Sequence, residues 1–571
     1  MTTASDALQP ALPPKPAGAN AAAPAKAGAA AHPLWPRIEA GLEAISDRLN
    51  PILVKEARQA MKSMQFLVTF TLLLVLGWMY TLLFVMINLP GVFYSPFGSN
   101  MLYGYYLILA VPLLLVVPYA SFRSLAAELE DGTFDLLSIT ALSARQIVTG
   151  KLGSSILQMI VYYSALAPCI AFTYLLRGID VVTIALLLTY TFLASLMLSI
   201  LALLLSTVTR ARHWQVLLSV LLVMALLLFT FFWCMGMAML LAGAPMMPYD
   251  QPWWWMMNLA WLSFVVALAV LFVLLAAGQI TFASENRSTS IRIMLLVVQT
   301  LIVGWTIYSF MRTEEEEVLM VGSVGLGFWW AVAGAFLIGE MGQLSPRARR
   351  ELPQSLLGRM AFTWFNPGSG TGYVFAILNA LGGMLTLAFL GLGASVMMGA
   401  GSLNQLDEWT AWWLAILSYV AIYLGLARLF GVVLRWLGVG GGMLSVFVFY
   451  ILLILLGLLL PLALQGLAQY LFGYGGSWMF DDYTPLQLPN FVWTLEEISD
   501  GNFGVGDGLV WLLVAFAGFV FFLNFILAAS EVEQTRLAAP QRVLQDEREL
   551  HPEPVKTVKR GPWDEPPPPP H

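Results

Sequence analysis

Residues 181–208 read VVTIALLLTYTFLASLMLSILALLLSTV, with no charged side chain from end to end. A helix needs about 20 such residues to cross roughly 30 Å of hydrocarbon, and this run exceeds that length. Apolar blocks of the same kind recur at 65–89, 103–121, 153–176, 214–242, 256–284, 292–311, 318–339, 371–395, 411–434, 442–472 and 507–529. The chain of 571 residues is 59% hydrophobic and 11% charged, whereas a soluble domain carries about 25% charged residues. The expected fold is therefore an all-α polytopic membrane protein with about 12 transmembrane helices.

The blocks organise the rest of the chain. Residues 1–34 are rich in Ala, Pro and Gly and lack the apolar core of a secretory signal, so they read as a disordered tail. Residues 531–571, ending WDEPPPPPH, read as a second tail, charged and Pro-rich. Residues 35–64 carry amphipathic helices, and two six-span units follow at 65–290 and 291–530. Each unit starts with two spans and a long loop (122–152, then 340–370) and continues with four spans. A division into eight plus four spans is the alternative.

Charge sets the expected orientation. With both termini in the cytoplasm, the inner loops hold Arg123, Arg145, Lys151, Arg210, Arg212, Arg287, Arg347, Arg349, Arg350, Arg359 and Arg435, against Arg177 and Arg312 outside. The outer loops are acidic, with Glu314 to Glu317, Asp407, Glu408, Asp481, Asp482, Glu496, Glu497 and Asp500. Trp253, Trp254, Trp255, Trp409, Trp412 and Trp413 are expected to form an interfacial belt at that outer face. The location that follows is a plasma membrane, the inner membrane of a bacterium. The outer loop 473–506 reads as a solvated segment, with a small cap or a cation-binding loop as alternatives.

Several chemistries have no carrier in this sequence. No acidic residue sits near the middle of a span, and Arg428 is the one clear intramembrane charge, placed to snorkel toward the inner face. Cys169 and Cys234 lie inside apolar runs and read as small core residues, without a disulfide framework or metal motif. There is no GxxxxGK[ST] loop to cradle nucleotide phosphates. NPGSGTG (366–372) lacks the lysine and reads as a loop or hinge. The Gly-rich stretches at 380–393 and 438–443 suit close helix packing. The chain is read as a non-enzyme that binds no cofactor or metal and no nucleic acid.

Two devices stand out on the inner side. In NPILVKEARQAMKSMQF (50–66), Asn50 can cap a helix that opens on Pro51. Leu53, Ala57, Ala60, Met61 and Met64 share one face, and Lys55, Arg58 and Lys62 another. Such a helix is expected to lie in the inner interface, apolar side in lipid. The second device is ELEDGTFDLLSITALSARQIVTGK (128–151). Asp131-Gly132 signals a turn, and Thr133 can cap a short helix carrying Phe134, Leu136, Leu137 and Ile139. Ser143 and Gln146 form an S-x-x-Q capping box for the helix of the third span.

An NPxxxKE helix, two spans, then an E-x-G-T…L…T-x-L-S…I…K loop resembles the membrane subunit of type-2 ATP-binding-cassette (ABC) exporters. The matching residues are Asn50, Pro51, Lys55 and Glu56, then Glu128, Gly132, Thr133, Leu136, Thr140, Leu142, Ser143, Ile147 and Lys151. The likeness implies that the first group, with Arg58 and Lys62, forms the interface helix, and that the second forms a coupling loop seated on a separate ATPase chain. It implies ATP hydrolysed by that partner, contact with lipids, and pairing with a second permease copy as an option. Family members often carry Pro where this chain has Ala141. The likeness covers residues 50 to 285, and the second half only by span count. A non-transporting membrane scaffold and an ion-coupled secondary transporter are the alternatives, the latter weakened by the missing intramembrane carboxylates.

Overall fold

Twelve helices of the computed structural model are long and apolar enough to cross a membrane, and no strand occurs among the described residues. The structure describes residues 50–132, 142–209, 211–243, 247–281, 285–315, 317–340, 363–398, 403–438, 442–472, 483–502, 505, 508–536 and 549–550. The expectations for residues 1–49, for Thr133, Leu136, Thr140 and Ala141, for the loop residues 341–362 and for the tail beyond Leu550 lie outside the described residues. The chain is an all-α, multi-pass membrane protein.

An interface helix, Pro51–Lys62, precedes the spans. Spans 1 to 6 are Met64–Asn88, Gly98–Glu130, Ala144–Leu175, Val181–Ser206, Arg212–Gly243 and Pro252–Ile280. Spans 7 to 12 are Ser288–Thr313, Glu317–Ile338, Ser369–Met398, Leu403–Trp436, Met443–Phe472 and Gly508–Arg536. The apolar blocks located every span, but not every end. Spans 2 and 3 run deep into 122–152, leaving 131–143 between them. Span 12 continues to Arg536, so residues 531–536 are helix rather than tail. Hydropathy stops where a helix leaves lipid, whereas the helix stops where its backbone is capped.

The caps are visible in the local chemistry. Ser63 ends the interface helix and starts span 1: its hydroxyl donates to the Ala60 carbonyl at 2.7 Å and accepts from the Phe66 amide at 3.1 Å. Ser143 and Gln146 form the reciprocal capping box expected of them. Gly132 adopts φ +67°, the left-handed value that favours glycine in the Asp131-Gly132 turn.

Packing repeats along the chain. Span 1 packs on spans 2 and 3, span 2 on 3, 4 and 5, span 3 on 4 and 6, and span 4 on 5 and 6. Span 7 packs on 8 and 9, span 8 on 9, 10 and 11, span 9 on 10 and 12, and span 10 on 11 and 12. Adding six to each number converts the first set into the second. Span 6 against span 7 joins the two sets. Polar side chains bind neighbouring spans where lipid offers no alternative partner. Ser195 donates to the Leu113 carbonyl at 2.5 Å, within the π-helical turn Pro112–Val116 of span 2, and Trp330 donates to Gln299 at 3.0 Å.

Tertiary packing overturns several expectations. Trp409, Trp412 and Trp413 are buried in the second half's core, with Trp412 donating to Ser323 at 3.0 Å; Trp253 and Trp255 remain exposed. In NPGSGTG, residues 366–368 form the expected loop before span 9, with Gly368 at φ +147°, whereas Gly370 and Gly372 lie inside that span and allow close approach. A Cβ on Gly372 would stand 2.7 Å from the Leu337 carbonyl oxygen of span 8. Gly438 and Gly442 touch nothing a Cβ would reach, so that stretch is not a packing surface at these positions. Residues 483–502 of the expected outer loop are not merely solvated either. A helix at Phe491–Ser499 packs on spans 10 and 11, with Gln487, Asn490 and Thr494 buried beneath it. Tyr419 and Tyr423 of span 10 each donate at 2.6 Å to the carbonyls of Leu488 and Pro489.

Candidate functional site

The interface helix is built on Asn50. Its side-chain oxygen accepts from the Ile52 amide at 3.1 Å, and Pro51 occupies the first helical position. The same Asn50 amide donates to the Gln146 carbonyl at 2.5 Å, tying this helix to the first turn of span 3. Of the face expected in lipid, Ala57 is buried, as is Ile52 beside it. Span 3 accepts this face at two glycines: a Cβ on Gly150 or on Gly153 would come within 2.8 Å of Ile52 or Leu53. Met61, in the last turn of the helix, and Met64, at the start of span 1, remain exposed.

One buried cation closes the arrangement. The Lys151 side chain is 1% exposed, and its ammonium lies 3.1 Å from Glu56 Oε1 and 3.1 Å from Glu128 Oε2. It also donates to the Ser124 carbonyl at 3.1 Å. Lys55, on the rim, approaches Glu128 at 3.6 Å. Three elements thus meet on one ammonium: the interface helix, the end of span 2 and the start of span 3. Breaking such a buried pair by removing one partner costs about 3–5 kcal/mol. Ile147 adds apolar contact in the same corner, packed with Ile52, Leu125 and Leu129 and flanked by Leu142.

Of the residues singled out in the sequence, Asn50, Glu56, Glu128, Ile147 and Lys151 come together here. Ser143 caps the helix that carries two of them. Arg58 and Lys62 stay on the exposed side of the interface helix. Gly132 forms the turn beyond Glu130, with Thr133, Leu136 and Thr140 outside the described residues.

The cluster belongs to a longer polar belt that reaches the second half. Arg145 donates to Ser290 at 2.6 Å, linking the capped start of span 3 to the start of span 7. Ser288 donates to Glu340 at 3.1 Å, and fully buried Arg292 pairs with the same carboxylate at 2.8 Å. Arg292 also donates to the carbonyl of Trp364, just before span 9. Next, Glu531 accepts from the Gly370 amide at 3.0 Å and pairs with Arg428 at 2.9 Å. Arg428 also donates to Asn524 Oδ1 at 2.9 Å.

Arg428 therefore does not snorkel. It is 0% exposed, neutralised within the bundle by a residue assigned to the tail. Arg292 and Glu340 escaped the sequence reading because both sit at span ends, where charge is ordinary. Their signal was a pair of opposite charges at the same end of two consecutive spans, 7 and 8. No group of three or more His, Cys, Asp or Glu side chains suited to a metal occurs among the described residues. Comparison with protein-family models, with curated proteins and with solved structures finds no match.

Proposed function

We propose that this chain is the permease subunit of an ABC transporter of the exporter type, driven by a separately encoded ATPase that docks on the 122–152 loop. The observation that carries this reading is the Lys151 cluster. Residues implied by the resemblance from two separate sequence devices meet on one buried ammonium, 3.1 Å from each carboxylate. A loop that receives force must pass it to the membrane helices without yielding. The cluster joins its two flanking helices and the interface helix into one unit, so a displacement of the loop moves all three. Arg145 extends that unit to span 7 through Ser290. ATP hydrolysis by the partner biases the helices only through contacts that differ between its open and closed states.

The test is co-purification from native membranes in mild detergent. The ATPase subunit is expected to accompany the intact chain and to be lost when Gly132, Thr133 and Leu136 are replaced together by charged residues. An intact chain that brings down no ATPase, with silent substitutions at those positions, would end this reading.

A further inference from the structure

Beside the Lys151 cluster, and sharing Glu56 with it, a cavity of about 170 Å³ opens where the interface helix turns into span 1. It lies between that corner and spans 2 and 3, and its lining mixes polar side chains with apolar surface from Phe66, Val116 and Ala120. Ser63, Ser121, Ser155, Gln158, Tyr162 and Arg123 define it. The serines are committed to the protein: Ser121 and Ser155 share a hydrogen bond of 2.7 Å, and Ser63 caps the corner. Two deeper groups are not. The Tyr162 hydroxyl is fully buried without a hydrogen-bond partner. Gln158, one turn before it and 8% exposed, lines the same cavity and makes no hydrogen bond among the described residues. Leaving the buried Tyr162 hydroxyl unmet inside a membrane protein costs about 1–3 kcal/mol, so the site is built for a polar occupant.

Its mouth indicates which kind. Arg123 is exposed at the rim and forms no ion pair among the described residues. A shallow groove along Lys55, Arg58 and Lys62 reaches the cavity at Gln59. The corner marks the point where the chain passes from an amphipathic helix, with Met61 exposed, into span 1, with Met64 and Leu67 exposed. Cations thus stand at the rim, hydroxyl and amide groups inside, and apolar surface alongside.

We propose that this cavity holds the headgroup of a phospholipid of the phosphatidylglycerol type, its phosphate at Arg123 and its glycerol hydroxyls at Gln158 and Tyr162. Glu56 also lines the cavity, but Lys151 and Lys55 together balance it and Glu128, so the interior suits neutral hydroxyls better than a further cation. The inference does not depend on the ABC reading.

Native mass spectrometry of the full-length protein, delipidated in detergent and titrated with phosphatidylglycerol or phosphatidylcholine, tests it. One phosphatidylglycerol is expected to stay bound under conditions that strip phosphatidylcholine. Arg123→Gln and Gln158→Leu should each weaken retention about tenfold, the loss of one charge-assisted or buried hydrogen bond. Tyr162→Phe removes an unpartnered hydroxyl, so without lipid it should melt no lower than the wild type while still retaining less phosphatidylglycerol. Equal retention of both lipids, or no difference among the variants, would overturn the proposal and leave water as the occupant. Stabilisation by free sn-glycerol 1-phosphate as strong as that by the lipid would overturn the membrane-lipid assignment.

Discussion

Lys151 stands in the interior because two carboxylates reach it from outside its own helix. Glu56 comes from 95 residues away in the chain, and Glu128 from the end of the preceding span. Replacing Lys151 by Met should therefore destabilise the protein by about 3–5 kcal/mol, since it strands both carboxylates rather than merely deleting a bond. Adding Glu56→Gln and Glu128→Gln to that variant should recover part of the loss. Thermal unfolding in detergent reads both outcomes, and an unchanged melting temperature for the single variant would contradict the cluster. At this scale the sequence showed the right residue types but not their pairing. Arg428 looked like a snorkelling side chain because its partner, Glu531, lies 103 residues later, beyond the apolar end of span 12.

The interface helix illustrates the same division among whole elements. Its start, its Pro51 and its basic face were legible locally, because capping and periodicity involve neighbours within one turn. What its apolar face covers was not. That depended on Gly150 and Gly153, nearly a hundred residues on, leaving a shallow seat on span 3. Gly150→Val should lift the helix from this seat at a cost of about 1–3 kcal/mol, the usual range for overpacking. Hydrogen–deuterium exchange should show faster exchange for amides 52–62 and little change in span 8. The capping box at Ser143 was fully legible, and so was the Gly132 turn. In NPGSGTG the loop at 366–368 was legible, but a glycine needed for close packing, such as Gly372, resembles one needed for a bend. Only the Leu337 carbonyl 2.7 Å from a would-be Cβ on Gly372 separates the two.

Across the whole molecule, one neighbour pattern recurs in spans 1 to 6 and in spans 7 to 12. The halves meet through span 6 on span 7 and through the Arg145–Ser290 hydrogen bond. If each half holds its own packing, the chain supplied as two co-expressed pieces, 1–283 and 284–571, should assemble and migrate on a native gel with the intact protein. Pieces recovered only as separate aggregates would show that the halves depend on each other to fold. The sequence by itself determined that the chain crosses a membrane, with which segments, and where several helices begin. Those properties follow from hydropathy over about 20 residues and from caps spanning one turn, both local quantities. The tertiary structure alone decided which charges are buried together, which glycines are seats rather than bends, and that the second half repeats the packing of the first. In a bilayer every span is apolar on all sides, so periodicity does not say which face meets protein and which meets lipid. That choice is made by long-range contacts between polar and small residues, which pattern along the chain does not encode.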